Sequence, residues 1–206
     1  MAPEPMPPGP DWPEPLRPPL AVPRAGGDTS RMPLPEIMPE LYGRTVQWRP
    51  LKGKRRSWGL VVGGRDLATV SMPKLFGNLA IAETPAGRWT FKRVGVFRQV
   101  VTVRRPDDEE NLATMARRWG KESLLECRGR RFTWRRESFW GRRWSWVASD
   151  GSLLVGFKTR MGFRYSATVE VSREARRYED TPLLLVLGWY LIVLQAQEAA
   201  AAAAAG

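Results

Sequence analysis

Apolar and polar residues alternate along most of this chain. Phe163, Tyr165, Ala167, Val169 and Val171 fall on one face of an extended segment, and Arg164, Ser166, Thr168 and Glu170 on the other. Trp89 and Phe91 alternate with Arg88, Thr90 and Lys92, and Trp144 and Trp146 with Arg143 and Ser145. Leu153, Val155 and Phe157 continue the theme. A period of two predicts half-buried antiparallel strands, one face to a core and one to water. Turn sequences separate them at Gly63–Asp66, Thr84–Gly87, Arg105–Asp108, Ser149–Gly151 and Met161–Gly162. Short strands at this spacing predict a sandwich or a barrel. The stretch Glu109–Trp119 admits two readings. Leu112, Met115 and Trp119 would share a helix face, whereas Leu112, Thr114 and Ala116 would continue a strand; the repeat described below favours the strand.

One segment breaks the alternation. Pro182–Leu194 is apolar at nearly every position, so no face is left for water. A helix that is apolar all round lies inside a protein core or a bilayer. Thirteen residues span roughly 20 Å, short of the ~30 Å of hydrocarbon, and extension meets Gln195, Gln197 and Glu198. A core helix over about 182–197 is therefore expected, with Thr181 as its cap and Pro182 in its first turn. Its core positions are Leu184, Leu187, Gly188, Trp189, Tyr190 and Leu191. Gly188 costs about 1 kcal/mol in helix propensity, which a bulky barrel side chain packed against it would explain. A tail anchor in a membrane is the alternative use of the same segment.

The chain also resembles itself at an offset of 86 residues. Gly43-Arg44 and Trp48-Arg49 fall on Gly129-Arg130 and Trp134-Arg135. Without a gap, Arg56 falls on Arg142, Trp58 on Trp144, Val61 on Val147 and Leu67 on Leu153. Two copies of several strands predict ten to twelve in all. Closing such a sheet removes its exposed edges. About eight strands is the size that fills its own lumen, so a wider barrel needs a plug, and the apolar helix supplies one. The predicted fold is all-β: a duplicated, closed antiparallel barrel of about twelve strands around a buried hydrophobic C-terminal helix.

These features together resemble the tubby-like superfamily. They are the duplicated Gly-Arg…Trp-Arg strands, the Asp150-Gly151 turn and the final Leu184-Leu185-Val186-Leu187-Gly188-Trp189-Tyr190-Leu191 helix. That group includes tubby C-terminal domains, plant LURP-one-related proteins and phospholipid scramblases. The chain is most similar to bacterial LURP-one-type or scramblase-like members, over residues 40 to about 197. The resemblance implies a twelve-stranded barrel around a hydrophobic C-terminal helix. Tubby proteins bind phosphoinositides through basic residues on the barrel exterior, but those positions do not match here one by one. Scramblases are expected to carry a cysteine cluster and an acidic calcium segment. This chain has one cysteine, and Asp107–Glu110 lacks the spacing of a calcium loop.

Composition narrows the function classes. The 206 residues carry a formal net charge of +12, mostly from arginine, which favours anionic partners. There is no histidine, which removes the usual general base and the commonest metal ligand. Cys127 cannot form an internal disulfide, and a half-buried strand thiol in a reducing compartment is expected. No catalytic constellation, metal site or cofactor site is evident, so the expected role is non-enzymatic. Residues 1–38 hold 12 of the 18 prolines, which predicts a disordered or polyproline II arm ahead of a barrel at 39–198 and an Ala-rich tail at 199–206. The arm includes two P-x-x-P spacings and no apolar h-region, so a cytoplasmic location is expected, peripheral to a membrane if lipid is bound.

Two basic loops are the candidate binding residues. Arg49, Lys52, Lys54, Arg55 and Arg56 form the first; Arg135, Arg136, Arg142 and Arg143 form the second, with Phe139 and Trp140 at its tip. Cations beside aromatic rings suit an anionic membrane surface, with the protein a monomer. The rival partner is single-stranded nucleic acid, on the basic and aromatic interleaving of Arg128, Arg130 and Arg131 with Phe132 and Trp134.

Overall fold

The computed structural model describes residues 38–73, 79–95, 99–106, 108, 110–116, 122–138, 142–160 and 165–206. Residues 1–37 of the expected Pro-rich arm and the loop tip with Phe139 and Trp140 lie outside them, whereas Met38, expected as the arm's last residue, is buried in the core. Among the described residues twelve strands follow in order: β1 Arg44–Pro50, β2 Ser57–Val62, β3 Arg65–Ser71, β4 Leu79–Thr84, β5 Gly87–Val94, β6 Val100–Arg104, β7 Ala113–Ala116, β8 Ser123–Cys127, β9 Arg130–Ser138, β10 Arg143–Ala148, β11 Leu153–Arg160 and β12 Ser166–Val171. Each pairs antiparallel with its neighbour in sequence, and β12 returns to β1 to close a barrel. Within 109–119 the described residues Ala113–Ala116 form the strand β7, with Ala113 and Met115 inward and Thr114 and Ala116 outward, while Glu109 and Trp119 lie outside the described residues. One helix, α1 Thr181–Ala205, follows.

The 86-residue repeat holds at the level of strand register. In the first copy Trp48 faces Leu60 and Arg49 faces Gly59. In the second, Trp134 faces Trp146 and Arg135 faces Ser145. The irregularity between Leu60 and Val61 recurs between Trp146 and Val147. Gly43 and Gly129, the glycines of the Gly-Arg motif, both take positive φ, 72° and 75°, to turn the chain into β1 and β9. The gapless alignment fails after β2. Ala68 faces Leu60 while Val155 faces Trp146, so the second copy carries one extra residue in its turn, and Leu67 corresponds to Leu154 rather than Leu153.

A third copy lies between these two. Phe91, 43 residues beyond Trp48, faces Val103, 43 beyond Leu60. Thr69 faces Glu83 in the first copy, Thr114 faces Glu126 in the middle one, and Gly156 faces Glu170 in the last. The junctions repeat too: Glu83 pairs with Arg88 at 3.2 Å, and Glu126 with Arg131 at 3.1 Å. The barrel is thus three four-stranded meanders, β1–β4, β5–β8 and β9–β12, each a third of the circumference.

The helix fits this threefold interior unevenly. Successive helical residues turn by about 100°, so three in a row address three sides. Gly188 faces the third meander, where an added Cβ would stand 2.5 Å from Phe157 and 2.9 Å from Trp146. Trp189 faces the first and stacks on Trp48 with ring centroids 5.4 Å apart. Tyr190 faces the second, with its ring 5.3 Å from Phe91. The smallest helix residue therefore meets the meander with the largest side chains. Leu183 to Leu187 and Trp189 to Leu194 are all buried, as are the expected core positions Leu184, Leu187, Gly188, Trp189, Tyr190 and Leu191.

Both helix ends differ from expectation. Asp180, not Thr181, occupies the cap position, and its backbone carbonyl accepts from Leu184 N at 2.9 Å. The Thr181 hydroxyl instead donates to the Ala175 carbonyl at 2.7 Å. The helix runs on past residue 197 through the alanines, whose helix propensity is the highest of any residue.

Gly188→Ala separates propensity from packing. An isolated helix would gain about 1 kcal/mol from this change. Inside the barrel the new methyl overlaps the Phe157 ring, and overpacking costs about 1–3 kcal/mol. Urea or thermal unfolding should show a destabilised variant; a more stable one would contradict the packing.

Candidate functional site

Strand parity gives the barrel two unlike ends. Connections after odd-numbered strands gather at one end, the mouth, and those after even-numbered strands at the other, the base. The helix enters at the base and leaves through the mouth. There the Gln197 amide lies 3.5 Å from Met72 Sδ, and Glu198 forms an ion pair with Arg93.

The base carries a buried charge cluster. The Asp180 carboxylate is 3% exposed. It accepts from the Cys127 thiol at 3.5 Å and from Arg130 Nη1 at 3.3 Å, with Arg128 Nη1 at 3.8 Å. Glu179 lies 3.7 Å from Arg128 and 3.5 Å from Arg130. Burial pushes the Cys127 thiol up to about 12; the Asp180 charge and the hydrogen bond to it add to this, and the two arginines partly oppose it. Cys127 is buried rather than half-buried. Nearby, the Ser152 N–H donates to Asp150 at 2.9 Å and holds that carboxyl below its ordinary value. The basic–aromatic stretch that favoured nucleic acid is divided by the fold. Arg128, Arg130 and Arg131 pair with Glu179, Asp180 and Glu126, while Phe132 and Trp134 are buried in the core.

The mouth collects both basic loops named from the sequence. Arg49, Lys52, Lys54 and Arg55 are exposed on β1 and the β1–β2 connection, and Arg56 is half-buried. Arg142 and Arg143 are exposed at the start of β10. Arg56 and Arg142 hold equivalent places and both take positive φ, 55° and 49°. Left-handed backbone costs a non-glycine residue roughly 1–2 kcal/mol. The same hydrogen bond secures each: Met72 N donates to the Arg56 carbonyl at 3.0 Å, and Thr159 N to the Arg142 carbonyl at 3.1 Å. Arg135 is half-buried, 3.8 Å from Glu137, and the Arg136 guanidinium lies 5.5 Å above the Trp144 ring.

The two loops share an end but do not merge. β12, β11 and β10 stand between β1 and β9. Each loop adjoins its own hollow. The first, about 690 Å³, is lined by Pro50 to Trp58 and Tyr165. The second, about 140 Å³ on the outer wall, is lined by Arg143 and Lys158 together with Glu137 and Glu170. Tyr165 and Lys158 were missed by sequence reading. Lys158 was legible as the outward neighbour of Phe157, but Tyr165 reaches the first loop only because β12 closes onto β1.

This arrangement presents fixed positive charge, which attracts anionic oxygens. Arginine stays protonated at all physiological pH and cannot serve as an acid or base. Among the described residues no group of three His, Cys, Asp or Glu is placed to hold a metal ion.

The Cys127 environment makes stability fall in alkali. The folded thiol keeps its proton to about 12, whereas its ordinary value is 9.0. The unfolded chain therefore releases that proton first, and the stabilisation, complete below pH 9.0, declines as pH rises above it. Urea midpoints measured across this range should fall, and Cys127→Ala should flatten the decline; an unchanged slope in the variant would contradict the assignment. No family model matches the chain, and neither does any curated protein or solved structure.

Proposed function

We propose that this chain is a non-enzymatic binding module of the tubby-like barrel type, whose mouth engages an anionic phospholipid surface. The observation that carries this reading is the uneven charge of the two ends. Around the mouth the described acidic residues are Glu122, Glu137 and Glu198, and the last two pair with Arg135 and Arg93. Against them stand Arg49, Lys52, Lys54, Arg55, Arg142 and Arg143, all exposed. Glu40, Asp66, Glu83, Asp108, Glu110, Glu126, Asp150, Glu170, Glu174, Glu179 and Asp180 lie toward the base, where Arg44, Arg65, Arg88, Arg104, Arg105 and the arginines within 128–131 and 173–177 offset them, so the excess of positive charge falls at the mouth. Each basic residue near an anionic membrane contributes about 1 kcal/mol, and the planar guanidinium matches phosphate oxygens.

Peripheral attachment suits the helix as well. Thr181–Ala204 is long and apolar enough to cross a membrane, yet 72% of its most apolar window is buried inside the molecule. Its apolar surface is already covered by strands, and a tail anchor would require the barrel to give up its core.

Flotation with vesicles of neutral or anionic lipid tests the proposal. Binding should appear only with anionic lipid and should weaken with salt, because exposed charges are screened within about 10 Å at 0.1 M. Arg142→Glu with Arg143→Glu should weaken it at least about a hundredfold while leaving the unfolding midpoint in place. A folded protein that binds neither kind of vesicle would overturn the proposal.

A further inference from the structure

The outer wall of the middle meander carries an exposed apolar row at the mouth. Val94 on β5 faces Val100 on β6, Val100 faces Ala116 on β7, and Ala116 faces Leu124 on β8. All four point outward, because Phe91, Val101, Met115 and Leu125 take the inward positions. Val94 is 49% exposed and Leu124 42%. Leu79, 38% exposed, stands diagonally beside Val94 across the β4–β5 pair. Three of the four large apolar residues most exposed among the described residues thus gather on one patch.

The third meander serves as an internal control, and the first replaces the middle two places of the row with serine. At the equivalent places the third meander has Glu137, Arg143, Lys158 and Thr168, and the first has Leu51, Ser57, Ser71 and Ile81. The same backbone position, in the same register, accepts charge and hydroxyl. Folding therefore does not require the apolar residues of the middle copy, and their exposure calls for an occupant.

We propose that this row is the edge of the barrel that inserts into the lipid, tilting the mouth so that the middle meander meets the acyl boundary while the basic loops meet the headgroups. The inference rests on the reading of the mouth as an anionic-lipid surface and adds which wall goes in. Two observations select a bilayer over a second copy of the chain. The row lies at the cationic end, where the charge complements anionic headgroups. Among the described residues it is also one rank deep apart from Leu79, bounded by Lys92, Thr102, Thr114 and Glu126, an area well short of the roughly 800 Å² per partner of a stable dimer.

A polarity-sensitive label tests this. Cys127 is buried with its thiol protonated, so a maleimide NBD probe goes selectively to a cysteine introduced as Val94→Cys, Leu124→Cys or, at the base, Arg65→Cys. With vesicles of phosphatidylcholine and phosphatidylserine, the probes at 94 and 124 should shift to the blue and brighten severalfold, and the probe at 65 should not change. Val94→Gln with Leu124→Gln should weaken vesicle binding about tenfold or more with no change in unfolding midpoint. Vesicle binding that leaves both mouth probes in water overturns this inference alone. Failure of the parent chain to bind anionic vesicles overturns it together with the proposed function. A lipid-free dimer abolished by the same double substitution overturns it in favour of self-association.

Discussion

The rest of the structure depends on a buried helix filling a lumen that the strands cannot fill. A barrel of twelve strands is too wide for its own side chains, and an isolated helix with no polar face is insoluble. Each defect is the remedy for the other. The match is specific as well as hydrophobic. Gly188 receives Phe157 and Trp146, Trp189 stacks on Trp48, and Tyr190 meets Phe91. Three neighbouring helix residues of very different size address the three meanders, and the smallest of them meets the meander with the largest inward side chains. The base then fastens the helix entry through Asp180, held by Cys127, Arg128 and Arg130, and the mouth fastens its exit through Glu198 and Arg93.

A common register makes this interior possible. Three meanders with the same cross-strand pairing present the same inward positions, so size is free to vary while direction is not. Trp48, Phe91 and Trp134 occupy one such set; Leu60, Val103 and Trp146 another. Outward positions vary more freely still. The set that reads Val94, Val100, Ala116 and Leu124 in one copy reads Glu137, Arg143, Lys158 and Thr168 in another. One backbone plan thus supports both a conserved interior geometry and three chemically different walls.

This division explains what could be read from the sequence. Strand alternation was visible because each strand has one wet and one dry face. The first and third copies declared themselves because Gly43 and Gly129 share a positive φ and Trp48 and Trp134 keep the same side chain. The middle copy hid because it preserves only direction: Phe91 replaces Trp48, Val101 replaces Trp58 and Val103 replaces Leu60. The helix was legible from its uniform apolarity, although its cap fell one residue early and its alanines extended it. Arg49, Lys52, Lys54, Arg55, Arg142 and Arg143 are exposed, as charged residues between alternating strands are expected to be. Their separation around the rim, the pairing of Arg135 and the stacking of Arg136 on Trp144 depend on strand count and tertiary contact, which no local pattern encodes.

The buried helix is tested most directly by native-state hydrogen exchange, read residue by residue without lipid. Backbone amides from Leu183 to Leu194, save those that form no helical bond, should be among the slowest in the protein and should exchange only through global unfolding, with the same free energy as the strands of all three meanders. Fast exchange across this segment in lipid-free solution, with protection gained only when membranes are added, would show that the strands do not enclose it and would contradict the account.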